Sequence, residues 1–306
     1  MEQRYSISDL ESLSGIKAHT LRIWESRYKL LNPSRTETNI RFYSNTDLKK
    51  VLNVAVLVNG GIRISKVAEL NDKDLTDLVR ERSNGGHNHQ GIINALKIAM
   101  MEYDDEAFEQ ILNRCMLNMG AENCFNSILS DFIRQLGILW QTGAVTIAHE
   151  HFVTSIIKQK LFTLIDQLTV RPKDKGLRFL LYLPAGELHE LGLLYMHFLL
   201  KKNGYKSIYL GQDVPLEAIA ETREKMQPDV IMSFFTTQPK TEDIENYLFE
   251  LGRSFPSKQM EFLIAGYPLR NVKVKLLDQR FHLYPSLETI RKDLFIRILK
   301  TEYHEP

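Results

Sequence analysis

The chain is short of the features that most quickly assign a protein to a class. It holds two cysteines, Cys115 and Cys124, too few for a disulfide framework or a cysteine-built metal site. They are expected to be core filler in a reducing cytoplasm. Apolar runs are short: none reaches the roughly 20 residues that a bilayer requires, and the opening MEQRYSISDL has no apolar signal core. No membrane partner is expected. Charge of one sign is lacking too, since the net value is +1, which gives no global case for nucleic acid. Any basic surface must be local, and up to Leu70 eleven Lys/Arg stand against seven Asp/Glu. Internal repeats and long low-complexity tracts are also missing.

What is present changes character along the chain. In residues 1–75, SISDLESLSGIKAHTLRIWESRYKLL splits into two helical patterns around Gly15. Ser8 is placed to cap the first and Lys17 or Ala18 to open the second, a helix–turn–helix pattern. Arg22 and Arg27 recur on the second helix, Arg35 lies in the following loop, and Arg41 precedes Phe42 and Tyr43. Cations so placed supply phosphate contacts, and a few read base edges. Any one of them alone is as readily a solvated surface residue, and Trp24 and Tyr43 both read more readily as core. Residues 76–90, with Gly85-Gly86, read as a linker with room for one short helix.

Residues 91–172 hold four helical runs with short breaks: GIINALKIAM, DEAFEQILNRCMLNM, ENCFNSILSDFIRQLGILW and TIAHEHFVTSIIKQKLFTLI. They predict a four-helix bundle. In residues 173–306 the runs FLLYLP, SIYLG, VIMSFF, FLIAG and FHLYP alternate with helical stretches. That alternation predicts an α/β flavodoxin-like domain, doubly wound on a parallel sheet buried on both faces. Ligands of such sheets sit outside the carboxyl ends of the strands, where PAGELHELG and LGQDVP fall.

A lone histidine near a strand end is most often structural. His189 has more around it. Glu187, two residues earlier, is close enough in a turn to hold one imidazole nitrogen and orient the other, as carboxylates do behind metal-bound imidazoles. Gly192, with no Cβ, lets a bulky ligand pass close to the backbone. In the bundle, Glu150-His151 follow Trp140 across the break at Gly143, so one helix end and the next helix start bring an indole, a carboxylate and an imidazole toward one mouth. Separately, these would be a core anchor and a helix surface.

Two resemblances join these segments. YSISDLESLSGIKAHTLRIWESRYKLLNPSRTETNIRFYSNTDLKKV resembles the winged helix–turn–helix of MerR-family transcription regulators, including Thr20-Leu21-Arg22 and the wing Arg41-Phe42-Tyr43-Ser44. The resemblance implies that the second helix enters the major groove of promoter DNA, with Thr20, Arg22, Arg27, Arg35, Arg41 and Tyr43 as contacts. Glu187-Leu-His189-Glu-Leu-Gly192 resembles the cobalamin-binding motif of an acidic residue, His and Gly. It implies that His189 takes the lower axial cobalt position, displacing the cofactor's own benzimidazole, and that the detached nucleotide tail runs down into the sheet. Ser233 then matches the tail-contacting Ser, followed at Phe235 by a Phe where an aliphatic residue is usual. Ala265-Gly266 stands in the place of a Gly-Gly pair.

The order of MerR module, bundle and cobalamin module is similar to that of cobalamin-dependent regulators of the CarH and LitR type. In these the bundle covers the upper axial group, which here assigns Trp140, Glu150 and His151 to the cofactor. Light-sensing members carry a His directly after that Trp, whereas this chain has Gln141, a poor cobalt ligand, with His149 or His151 as substitutes. The expected function is a cytoplasmic transcription regulator, most readily a repressor. It is expected to bind adenosylcobalamin or methylcobalamin and to change DNA affinity or oligomeric state, dimer or tetramer, with the cofactor. A second reading keeps the regulator and makes the cobalamin fold a protein-interaction module. A third, a corrinoid carrier or enzyme subunit, has the winged helix against it.

Overall fold

The computed structural model describes residues 4–84, 89–141, 143–171, 176–272 and 279–302. The chain divides into two compact units, Met1–Ile156 and Ile157–Pro306.

The first unit opens with α1 (Ile7–Ser14) and α2 (Ala18–Tyr28). Helix α1 is capped by Ser6 and not by Ser8: the Ser6 hydroxyl accepts from the Asp9 amide, and the Asp9 carboxylate accepts from the Ser6 amide. This reciprocal box satisfies two of the donors that a helix start leaves open, which Ser8, inside the first turn, cannot do. Gly15, at φ +74°, turns the chain, and the first amide of α2 is taken by the Glu11 carboxylate. The wing is an antiparallel pair, β1 (Ser34–Arg35) and β2 (Arg41–Phe42). A second capping box, Ser44 with Asp47, starts α3 (Asn45–Asn59).

Next come α4 (Ile64–Val67) and α5 (Asp72–Asn84), and α6 begins at His89. The stretch expected to be a linker is therefore helical at all its described positions. The bundle comprises α6 (His89–Glu102), α7 (Asp105–Met119), a third helix and α10 (Ile147–Asp166). The third helix runs as α8 (Ala121–Asn123), a π-helical turn (Cys124–Leu129) and α9 (Ser130–Gln141).

The winged helix and the bundle as far as the first half of α10 lie in one compact unit. Helix α6 buries nine of its 14 residues, too many for one face, so it needs cover on more than one side. Helices α3 and α7 both pack on it. Two buried polar side chains stitch the join: Asn94 donates to the Leu52 carbonyl, and Lys97 Nζ donates to the Leu13 carbonyl at 2.6 Å.

The second unit carries β3 (Arg178–Pro184), α11 (Leu191–Lys202), β4 (Lys206–Val214), α12 (Leu216–Met226), β5 (Val230–Phe234), α13 (Ile244–Ser254), β6 (Glu261–Ala265), β7 (Phe281–Tyr284) and α14 (Leu287–Glu302). All strand pairs are parallel in the order β4-β3-β5-β6-β7, the doubly wound arrangement expected. LGQDVP is not a loop after the second strand: β4 continues through it to Val214, with register shifts against β3. The winding reverses between β3 and β5, so the loops after those two strands open the crevice in which such folds bind ligands.

Candidate corrinoid site and DNA face

The loop after β3 carries the axial-ligand candidate. Gly186, at φ +76°, turns it, and its amide donates to Asp213 Oδ1 at 2.7 Å. Glu187 is fully buried. Its Oε2 accepts backbone amides from Thr236, Thr237 and Gln238 at 2.9, 2.6 and 3.0 Å, all in the loop after β5. One carboxylate thus pins together the two loops that flank the winding reversal. Its Oε1 accepts from the His189 amide at 3.0 Å and lies 2.6 Å from His189 Nδ1.

Burial pushes the Glu187 carboxyl up, but the donors from His189, Thr237 and Gln238 outweigh it and hold the group well below the usual carboxylate range. An ionised Glu187 only accepts, so Nδ1 carries the proton, and in the neutral imidazole Nε2 then carries the lone pair. That is the tautomer a metal-binding imidazole needs. The His189 side chain is 45% exposed and Leu188 beside it 60%, an imidazole next to an apolar surface. On the far side of the loop Glu190 accepts from Lys158 Nζ at 2.9 Å and from the Tyr209 hydroxyl at 2.6 Å. The residues around His189 fit a cobalt ligand.

The residues assigned to a nucleotide tail fit less well. Ser233 and Phe234 alternate on β5 and so point to opposite sheet faces. Ser233 shares its face with Ile231 of the core that also holds Tyr182, Phe235, Ile244 and Leu248. The other face meets α11. There a Cβ on Gly192 would stand 3.3 Å from the Phe234 ring. Gly192 therefore faces Phe234, and Ser233 is on the opposite side. Gly266 has a reason of its own: at φ +153°, a Cβ there would lie 1.9 Å from the Phe235 carbonyl oxygen, so backbone approach alone requires glycine.

In the first unit Trp140 ends α9 with its indole 55% exposed, and Ile147, which starts α10, is 59% exposed. Glu150 is half-buried and His151 exposed in the first turns of α10, and Gln141 is exposed. His149 is buried: Thr146 binds its Nδ1, Tyr103 stacks on its ring at 4.6 Å, and burial lowers its pKa. It is a core histidine, so of the two histidines considered as upper ligands only His151 is exposed.

On the DNA side, Arg22, Arg27, Arg35 and Arg41 are exposed and Thr20 is half-buried. Arg35 is held by the Asn39 side chain at 2.6 Å, across the wing turn, and Arg41 Nε by Glu25 at 3.2 Å. Tyr43 is not a contact. It is fully buried, bridges Tyr5 through the backbone and donates its hydroxyl to Glu25 at 2.9 Å, so the ring that looked like part of a binding wing is core. Trp24 is core as expected.

Two family models match parts of the chain. Residues 5–73 match the MerR HTH family of regulatory proteins, and residues 92–165 match a B12 binding domain. The second match falls on the helical bundle. The HTH-type transcriptional repressor CarH of Myxococcus xanthus is 26% identical over 83% of this chain and 86% of its own length. The repressor CarA of the same organism is 28% identical over 79% and 80%. The monomethylamine corrinoid protein of Methanosarcina barkeri superposes over 67% of this chain and 98% of its own, with a TM-score of 0.50 at 14% identity, a likeness of fold. The chain thus joins a MerR-type helix–turn–helix domain to a B12 binding domain, and it is homologous to the transcriptional repressors CarH and CarA.

Proposed function

We propose that this protein is a DNA-binding transcription regulator whose DNA affinity or oligomeric state is set by a bound corrinoid. The observation that carries the reading is the Glu187–His189 pair: a buried, ionised carboxylate 2.6 Å from Nδ1 presents Nε2 for coordination. When bound, the corrinoid supplies a cobalt centre with an exchangeable upper group. His189 would ligate that centre through Nε2, and Leu188 would offer apolar surface to the ring. Trp140, Glu150 and His151 are the bundle's contribution to the cofactor. The exposed arginines of α2 and the wing engage phosphates, with Thr20 and Arg22 nearest the base edges. The order of modules shared with two repressors supports repression as the direction of control. Gln141, directly after Trp140, would offer the cobalt an amide in place of an imidazole, a poor ligand for it.

The test is His189→Ala in the full chain. Corrinoid retention through gel filtration should fall severely, the imidazole-ligated absorbance should be lost, and promoter binding should cease to respond to the cofactor. Equal retention by parent and variant would refute the ligation. The filled space beside Gly192 favours one alternative, a regulator whose cobalamin fold serves as a protein-interaction module, and that outcome would put it in front.

A further inference from the structure

The second unit keeps an axial histidine and fills the space beside it. Phe234 is 7% exposed, and its ring stands 3.3 Å from where a Gly192 Cβ would be. In register across the sheet Phe234 pairs with Ala265, which is fully buried on the same face. On neighbouring parallel strands those two side chains lie side by side. A ring and a methyl thus occupy the α11 side of the sheet at the strand ends, directly behind the His189 loop. The one hydroxyl on this part of β5, Ser233, faces the opposite core. Nothing polar on β5 or β6 meets the space that Gly192 leaves, and the space itself is closed.

We propose that the corrinoid is held through its cobalt and ring alone, with no nucleotide tail threaded into the sheet, and that corrinoids lacking the lower nucleotide bind more tightly than cobalamin. The proposal rests on the reading of His189 as the cobalt ligand. Its physical basis is a difference of two costs. Cobalamin carries its own benzimidazole on the lower face, so His189 must displace it. That displacement is offset only if the freed tail gains contacts elsewhere. On the α11 side Phe234 and Ala265 leave it none, because a close-packed ring yields only by forcing its neighbours off their rotamers. On the opposite side the buried, unpartnered Ser233 hydroxyl is walled in by Tyr182, Phe235 and Leu248. A corrinoid without the nucleotide meets His189 with no base to displace, and the preference is that difference of affinities.

The experiment titrates the cofactor-free full chain with methylcobalamin and with methylcobinamide, which share an upper group and differ in the tail, following the corrin absorbance. Methylcobinamide should bind at least about tenfold more tightly. Phe234→Ala should tighten methylcobalamin selectively and so narrow or reverse the ratio. Phe234→Leu, which keeps an apolar core should the alanine variant fail to fold, should narrow it in part. Equal affinities in the parent, or a preference for methylcobalamin, would overturn the proposal while leaving His189 as ligand. A preference for methylcobinamide unchanged in the folded variants would remove Phe234 as its cause and overturn it as well. If neither corrinoid bound the parent, the ligation reading itself would fail and take this inference with it.

Discussion

Lys97 in the first unit and Glu187 in the second are both charged and both hidden, at 3% and 0% exposure, yet their surroundings treat the charge in opposite ways. Glu187 gathers amides from two loops and an imidazole, so its folded environment favours ionisation despite burial. Lys97 meets the Leu13 carbonyl at the end of α1, and burial brings its pKa down from 10.5 to about 8. Glu187 is thereby fixed in one protonation state over the whole physiological range. Lys97 is brought near a change of state at the seam between winged helix and bundle. Number of hydrogen-bond partners, more than depth, separates a charge that anchors a site from one that loads an interface.

Removing the anchoring charge is the severest way to break this contrast. Glu187→Gln puts an amide group against backbone donors and frees the His189 ring. Hydrogen bonds to a charged group contribute roughly 1.5–3 kcal/mol each, so a loss above about 3 kcal/mol is expected in the second unit. Both tryptophans, Trp24 and Trp140, lie in the first unit, so tryptophan fluorescence follows that unit while far-UV circular dichroism sees both. The circular-dichroism transition should shift to lower denaturant, with the fluorescence transition little moved. Because the folded pKa of Glu187 lies below its ordinary 4.5, its contribution is complete above that value and lost as pH falls through the lower one. The parent should lose second-unit stability in acid with a slope that the variant lacks. A variant matching the parent at pH 7 would show that the loops are held by something else.

Lys97→Met sharpens the other half. Between pH 8 and 10.5 the unfolded chain binds more protons at this residue than the folded chain does, so first-unit stability should rise with pH across that window. The shift corresponds to a rise of roughly 3 kcal/mol. Fluorescence-detected denaturant midpoints should show the rise in the parent and a flat profile in the methionine variant. Equal slopes would mean that Lys97 is solvated.

The mildest change touches neither buried charge. Arg22→Ala should lower the salt dependence of promoter binding by about 0.9 in log–log slope, the value for one phosphate contact. Arg41→Ala should lower it less, since Glu25 already shares that guanidinium. Slopes equal to the parent's for both would misplace the DNA face.

Much of this architecture can be read along the chain. Continuous apolar runs such as FLLYLP gave away buried parallel strands, and the breaks at Gly15, Gly120 and Gly143 fall where helices end. Glu187 and His189 were legible because their partnership is local, two residues apart in one turn. Its other half was not, since the amides of Thr236–Gln238 lie some 50 positions on and reach Glu187 only through sheet order. Which faces Ser233 and Phe234 take was not legible, for a related reason. Alternation shows that they oppose each other, but only packing tells which of the two faces α11. Tyr43 sat in a polar, arginine-flanked stretch, and its burial comes from Tyr5 and Glu25, both distant in sequence.

The π-helical turn at Cys124–Leu129 sets a phase. A turn bonded five residues apart accommodates one residue more than the α-helical path does, and each α-helical residue advances the chain by about 100° about the axis. The turn thereby keeps α9 in phase. Were those same residues wound as α-helix, everything after them would be rotated onward by about that angle relative to α7, and Leu139, now buried, would take the outward aspect that Trp140 has. The direction in which the indole points is therefore a property of the winding upstream as much as of the tryptophan itself. An insertion or deletion in α9 beyond that turn re-aims the residue without altering it.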